Sequence, residues 1–374
     1  MSPVTTRRVS RSSRFRRKAA GVDQLRHTKA HVSYPEPRVS PETRPALVSY
    51  VDAREHRLES QHAGAANSIA PARAEQLAAA VVFGYAGTRA ESAASILGRG
   101  AMNAIVRVTT AARAFIVRMR DEGDALMEYR KERWCLDRAR VTGILGPTVL
   151  QIGTTDGIPY MIESHIDGTP GDELRDSVDL WRQLGRYAKR IHAIPVSGFG
   201  RDLSEPVNGA IFNDAHAPDW PAFIRYNIES LTADDPLIGL EVYPADRRSV
   251  VRERFERLSE RALPIGLCHG DLKADNTIVL DSGEVALLDW GSACAHVVPH
   301  YDMRELVAGE PRDAFVEGYG LTPAEFSLMR AEVETFALLA AFDLVRWSID
   351  RRPDLTAEYA VRARAAFITS ALKL

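Results

Sequence analysis

The sequence predicts an α+β fold of two unequal lobes: a small antiparallel-sheet lobe, then a larger and mainly helical one. Three observations predict it. Apolar, β-branched runs separated by short polar turns fill much of 96–166. An Asp167-Gly168 break follows. Beyond it, five segments place their apolar residues at helical spacing.

In order, Ala74 to Phe83 reads as a short helix, with order beginning near Pro71. Ile96 to Gly100 leads into the strand Ala104 to Val108, and a turn at 109–113 precedes a strand from Phe115 to Met119. Asp121 to Arg140, charged and without Gly after Gly123, suits a helix. A hairpin pairs Thr148–Ile152 with Ile158–Ile166 around the turn 153–157, where Asp156-Gly157 supplies the turn chemistry. The helical segments beyond Gly168 are Leu180–Ile194, Trp220–Leu231, Arg247–Leu263, Pro323–Ile349 and Leu355–Ala371. Between the third and fourth lies a different stretch, Ile265 to Trp290, with β-type runs at Thr277–Leu280 and Val285–Leu288 joined by Asp281-Ser282-Gly283. The boundaries expected are a basic, disordered extension over 1–68, a first lobe over 69–166 and a second over 167–374.

The 374 residues are 45% hydrophobic and 26% charged, the balance of a globular chain. No run of about 18 apolar residues exists, since Phe336–Val345 is short and interrupted by Asp343, so no membrane span is expected. No apolar stretch follows Arg7 and Arg8, which predicts no secretory signal. Three cysteines without a C-x-x-C pair argue against a disulfide framework or a cysteine zinc site, and favour the cytoplasm. Residues 1–44 carry a formal charge of +8 and the remaining chain −10, so the folded body is not expected to bind nucleic acid.

The segment that carries chemistry is Cys268-His269-Gly270-Asp271-Leu272-Lys273-Ala274-Asp275-Asn276, followed by Leu288-Asp289-Trp290-Gly291. Phosphoryl transfer needs a carboxylate beside the attacking hydroxyl, oxygen ligands for Mg²⁺ and a cation to offset phosphate charge. Asp271 suits the first task, Asn276 and Asp289 the second, and Lys273 the third. The pattern H-x-D-x-x-x-x-N followed by D-x-G resembles the aminoglycoside phosphotransferase family, small-molecule kinases with a bilobal protein-kinase-like fold.

That resemblance implies a nucleotide, ATP or GTP, with Mg²⁺, bound by the first lobe, and a small-molecule acceptor bound by the second. It places a phosphate-covering hairpin at Gly98, Gly100 and Asn103, and Arg118 where kinases carry a strand lysine. Glu132 is the implied partner of Arg118, with Glu128 one turn earlier as its rival. Glu163, Ser164 and His165 fall at the hinge that meets the base. His269 is read as holding the catalytic loop. Asp302 and Asp343 are the candidate acceptor-binding acids: Asp302 follows the D-x-G segment, where the resemblance also implies a structural role. Asp343 interrupts an apolar helix face, and Arg346 is an alternative partner for it. The competing functional readings are a catalytically weak nucleotide-binding protein of the same fold and a kinase of a neutral metabolite such as a sugar.

Overall fold

The computed structural model describes residues 69–97, 103–122, 124–204, 211–214, 217–304, 306 and 309–371. The extension expected over 1–68, and Gly98 and Gly100 of the expected hairpin loop, lie outside them. Helix α1 (Pro71–Ala86) starts with Pro in its first turn and stops at Gly87, whose φ of 67° ends the helix and whose N–H bonds Phe83 O. Strands β1 (Ala90–Ser95), β2 (Ala104–Thr110) and β3 (Ala114–Met119) follow, then helix α2 (Ala125–Val141) and strands β4 (Val149–Thr155) and β5 (Ile158–Ser164).

These five strands form one antiparallel sheet in the order β1-β2-β3-β5-β4. Alternation sorts its two faces. Val106, Val108, Phe115, Val117, Met119, Tyr160 and Ile162 pack under α1, whereas Val149 and Met161 join the core shared with α2 and the second lobe. Two expectations need correction. The strand before the loop is Ala90–Ser95 rather than Ile96–Gly100, and its sequence, AESAAS, lacks the β-branched residues that betray a strand. The β4–β5 turn is two residues, Asp156 and Gly157 with φ of 50° and 82°, so Gly153 to Thr155 continue the ladder.

The second lobe contains β6 (Thr169–Pro170), helix α3 (Val178–His192) and three short strands, β7 (Ser197–Gly198), β8 (Asp202–Ser204) and β9 (Ile211–Asn213). Helices α4 (Trp220–Glu229), α5 (Pro236–Gly239) and α6 (Arg248–Ser259) come next. Strands β10 (Ile265–Cys268), β11 (Thr277–Val279), β12 (Val285–Leu287) and β13 (Cys294–Val297) carry the motif segment, and α7 (His300–Met303), α8 (Glu310–Tyr319), α9 (Pro323–Arg351) and α10 (Thr356–Ala371) close the chain. The five expected helices are present with shifted ends; α8, which holds Pro311 and Gly318, is an addition.

Helix α3 crosses α8 where both carry glycine. A methyl group on Gly185 would come within 2.0 Å of Phe315 O, and one on Gly318 within 2.0 Å of Arg182 O. Only glycine lets these two backbones approach so closely. At the far end, Phe336, Leu339, Phe342 and Val345 of α9 bury one stripe against α4, α6 and α10. Among the described residues no helix is long and apolar enough to cross a membrane.

Candidate active site

Strands β10 and β13 pair antiparallel and deliver the two motifs side by side. The chain leaves β10 at His269, turns through Gly270 and Asp271, and enters a 3₁₀ turn at Ala274–Asn276 before β11. Gly270 has φ 83°, and a side chain there would strike Ser292 O at 2.0 Å. Strands β11 and β12 form the expected hairpin, which returns the chain to Asp289.

Two bonds bind the motifs together. Leu288 N donates to Asn276 O at 2.8 Å, and His269 Nε2 lies 3.0 Å from Leu288 O. The other ring nitrogen of His269 accepts from Asp271 N at 3.3 Å, and the ring packs against Trp290. With both nitrogens committed to backbone, His269 shapes the loop.

Asp271 Oδ1 lies 3.0 Å from Lys273 Nζ, and its Oδ2 accepts from Asn276 Nδ2 at 2.8 Å. Burial pushes the Asp271 carboxyl up, but Lys273, Asn276 and His269 outweigh it and hold the group below its ordinary value of 3.8. Asn276 Oδ1 accepts no hydrogen bond among the described residues. Asp289 sits in the left-handed region at φ 55°, its side chain 44% exposed, with Oδ1 accepting from Arg118 Nη2 at 3.3 Å and Gly291 N at 3.4 Å.

Arg118 and Glu132 form a buried two-pronged pair, at 2.5 and 3.2 Å. Burial works against the guanidinium charge, yet Glu132, Asp289 and Glu163 together hold the Arg118 pKa well above its ordinary value. Glu128 pairs instead with Lys131 at 2.9 Å. The choice between the two acids is thereby made in favour of Glu132. Lys131 is a residue that the sequence reading missed. It is buried, and its Nζ also donates to Gly291 O at 2.9 Å and Arg201 O at 3.2 Å, so α2 grips the D-x-G turn directly. Its position inside the charged run Arg130–Arg133 gives no sign of burial.

The remaining expected residues divide. Asn103 accepts from Tyr129 OH at 2.9 Å, which anchors the start of β2 to α2. Ser164 pairs with Thr148 through both backbone and hydroxyl. His165 lies 3.3 Å from Asp167, with its pKa lowered by burial and by Arg107. Glu163 is buried on the same sheet face as Arg118.

Asp302 is a correction. Its side chain is fully buried and accepts from Gly270 N at 2.8 Å, His269 N at 3.0 Å and His192 Nε2 at 3.0 Å. Those donors consume the carboxylate, so it braces the catalytic loop and does not reach an acceptor. Asp343, half-buried on α9, has a partner in the second lobe. It accepts from Asn227 Nδ2 at 3.3 Å, within a network where Arg346 reaches Asn227 Oδ1 and Asp235. This network ties α4, α5 and α9 together.

A model of the phosphotransferase enzyme family, APH, matches residues 93–330. No curated protein matches the chain in sequence. Among solved structures, a spectinomycin phosphotransferase in complex with ADP and spectinomycin is 14% identical, with a TM-score of 0.53 over 81% of this chain and 99% of its own. An aminoglycoside 2′-phosphotransferase-IIIa mutant in complex with GDP is 16% identical, with a TM-score of 0.60 over 79% and 98%. A putative fructosamine-3-kinase from Haemophilus somnus 129PT is 14% identical, with a TM-score of 0.51 over 76% and 96%. At these identities the likeness is one of fold.

Proposed function

Because this chain belongs to the phosphotransferase enzyme family, we propose that it moves the γ-phosphate of ATP or GTP to a hydroxyl group of a small molecule. The observation that supports this reading most is the joining of the segments that carry Asp271, Asn276 and Asp289 by the Leu288 N–Asn276 O bond and the His269 ring on Leu288 O, with Arg118 bonded to Asp289. A chance acidic turn does not collect a base, two oxygen ligands and a buried cation at one place.

Each residue has a task in this reading. Asp271, ionised at neutral pH, accepts a hydrogen bond from the attacking hydroxyl and takes up its proton as the phosphoryl group transfers. Lys273 lies beside it and offsets charge on the transferred group. Asp289 Oδ2, free of hydrogen bonds among the described residues, and Asn276 Oδ1 are the hard oxygen donors that Mg²⁺ takes, so the residues present fit that ion. Bound there, Mg²⁺ supplies charge neutralisation for the phosphates. Arg118, fixed by Glu132, presents its guanidinium to the same end of the cleft, and the backbone at Glu163–His165 meets the base.

The acceptor is proposed to be a small polyhydroxylated molecule, with aminoglycosides, spectinomycin-like antibiotics and sugars as the classes to try. The experiment is a thermal shift with Mg-ATP and Mg-GTP, followed by phosphate transfer against a panel of those acceptors. A melting temperature unmoved by either nucleotide would refute the reading. Nucleotide binding without transfer to any acceptor would favour the weak nucleotide-binding alternative.

The metal assignment carries its own prediction. Asp289→Asn keeps size but loses the charge that Mg²⁺ needs, so Mg-dependent nucleotide binding weakens by about tenfold or more, and Asn276→Ala weakens it less. Calorimetry with and without Mg²⁺ checks this; equal affinities in parent and both variants would remove the two residues from the metal site.

A further inference from the structure

Lys131 is only 2% exposed, and the chemistry proposed above makes no use of it. Its Nζ donates to Gly291 O at 2.9 Å and Arg201 O at 3.2 Å, and lies 2.9 Å from Glu128 Oε2. An ammonium has three N–H groups, so these partners take them all and leave none for a phosphate. Adjacent residues of a helix point about 100° apart, and α2 uses that angle: Glu132 holds Arg118, while Lys131 holds the D-x-G turn. The turn needs holding. Asp289 adopts φ 55°, a conformation unfavourable to any residue but glycine, and Gly291 has no side chain to pack. Gly291 is gripped at both of its polar groups, with its N–H on Asp289 Oδ1 at 3.4 Å and its carbonyl on Lys131.

Resting on the reading of Asp289 as a magnesium ligand, we propose that Lys131 is a positioning residue, which fixes the Asp289–Gly291 turn so that the Asp289 carboxylate is aimed at the metal. Mg²⁺ takes oxygen ligands at about 2.0–2.1 Å and in near-octahedral directions, so a ligand that swings out of place gives up affinity. Asp289 Oδ1 is turned inward on Gly291 N and Arg118, and this leaves Oδ2 for the ion. That orientation lasts while Gly291 stays in place. Without Lys131, Gly291 O keeps only a 3.5 Å contact from Arg201 Nη2, and the residue can rotate and carry its N–H away from Oδ1. Groups that orient a metal ligand without touching the ion are worth about 10–100-fold in metal affinity. Because Glu132 sits on the same helix, α2 sets Arg118 and Asp289 together.

Calorimetric titration of ATP and GTP into the full chain, with and without Mg²⁺ and alongside thermal melts, tests this. In Lys131→Met, which keeps the length and loses the N–H groups, the gain in nucleotide affinity on adding Mg²⁺ should fall by about tenfold or more. Affinity without Mg²⁺ should stay within about threefold of the parent, because the two-pronged Arg118–Glu132 pair is untouched. Lys131→Arg, which keeps donors, should recover most of the gain. Should Lys131→Met not fold, Lys131→Gln reads the same fall, since its shorter amide keeps a donor without reaching both carbonyls. A lysine with a structural role alone would lower Tm and weaken binding equally with and without Mg²⁺, and that result would overturn the proposal. An undiminished Mg²⁺ gain in Lys131→Met would overturn it too. A parent whose affinity ignores Mg²⁺ would overturn the metal assignment as well, and a parent that binds neither nucleotide would overturn the nucleotide reading beneath both.

Discussion

Replacing Asp271 with Ala lowers kcat by about 10²–10⁴, the usual effect of losing a positioned proton acceptor, while nucleotide affinity changes little. The asymmetry follows from geometry. Asp271 is tied to Lys273 and Asn276 and is the proposed partner of the acceptor's hydroxyl, whereas the proposed nucleotide contacts come from Arg118, Asn276 and Asp289. Its lowered pKa adds a second readout. The group is ionised at every pH above its ordinary value of 3.8, so the acid limb of the parent's kcat profile should not rise into the range above pH 5 on its account. Single-turnover measurements with the acceptor found in the panel check the first effect. Turnover at the parent's rate would remove Asp271 from its role.

Replacing Asp302 with Ala should cost about 3–5 kcal/mol, because two buried backbone N–H groups and His192 lose their shared acceptor at once. In a chain of this size that is a fall in Tm of about 6–15 °C. The pH dependence gives an independent test. Burial pushes the Asp302 carboxyl up, but hydrogen bonds from His192 and Gly270 and the nearby His269 hold it at about 2. A depressed carboxylate stabilises the fold above its unfolded pKa and loses that contribution as pH falls through the folded one. Roughly 2 kcal/mol of parent stability should therefore disappear between about pH 4 and pH 2, and the variant should lack that portion of the loss. A variant melting within a degree or two of the parent would show that the catalytic loop does not depend on this brace.

The two motifs and the hairpin between them were legible in the sequence because all their parts lie within about two dozen neighbouring residues. Local spacing and turn chemistry suffice to place Asp271, Asn276 and Asp289 together. Arg118 and Glu132 were legible only through the family resemblance, which left Glu128 open as a rival, and the packing of α2 shows which acid faces the sheet. Asp302 was half-read, for a physical reason: its partners are His192, 110 positions away, and Gly270, 32 away. An isolated sequence shows a charged residue in a polar stretch, not the buried donors that the fold brings to it. The partner of Asp343 was hidden in the same manner, since Asn227 lies 116 positions distant. Strand β1 was missed because Ala-Glu-Ser-Ala-Ala-Ser has no intrinsic preference for the sheet that captures it.

The backbone of Asp289 has a consequence for anyone who tries to harden this protein against heat. At φ 55° an aspartate adopts a conformation that costs it about 1 kcal/mol or more, and glycine takes the same conformation without that penalty. A directed-evolution screen that scores survival after heating should therefore enrich Asp289→Gly, a variant that has surrendered its carboxylate. Selection for toughness and selection for turnover pull in opposite directions at this single codon, and a library screened only for the first would return well-folded, inert proteins.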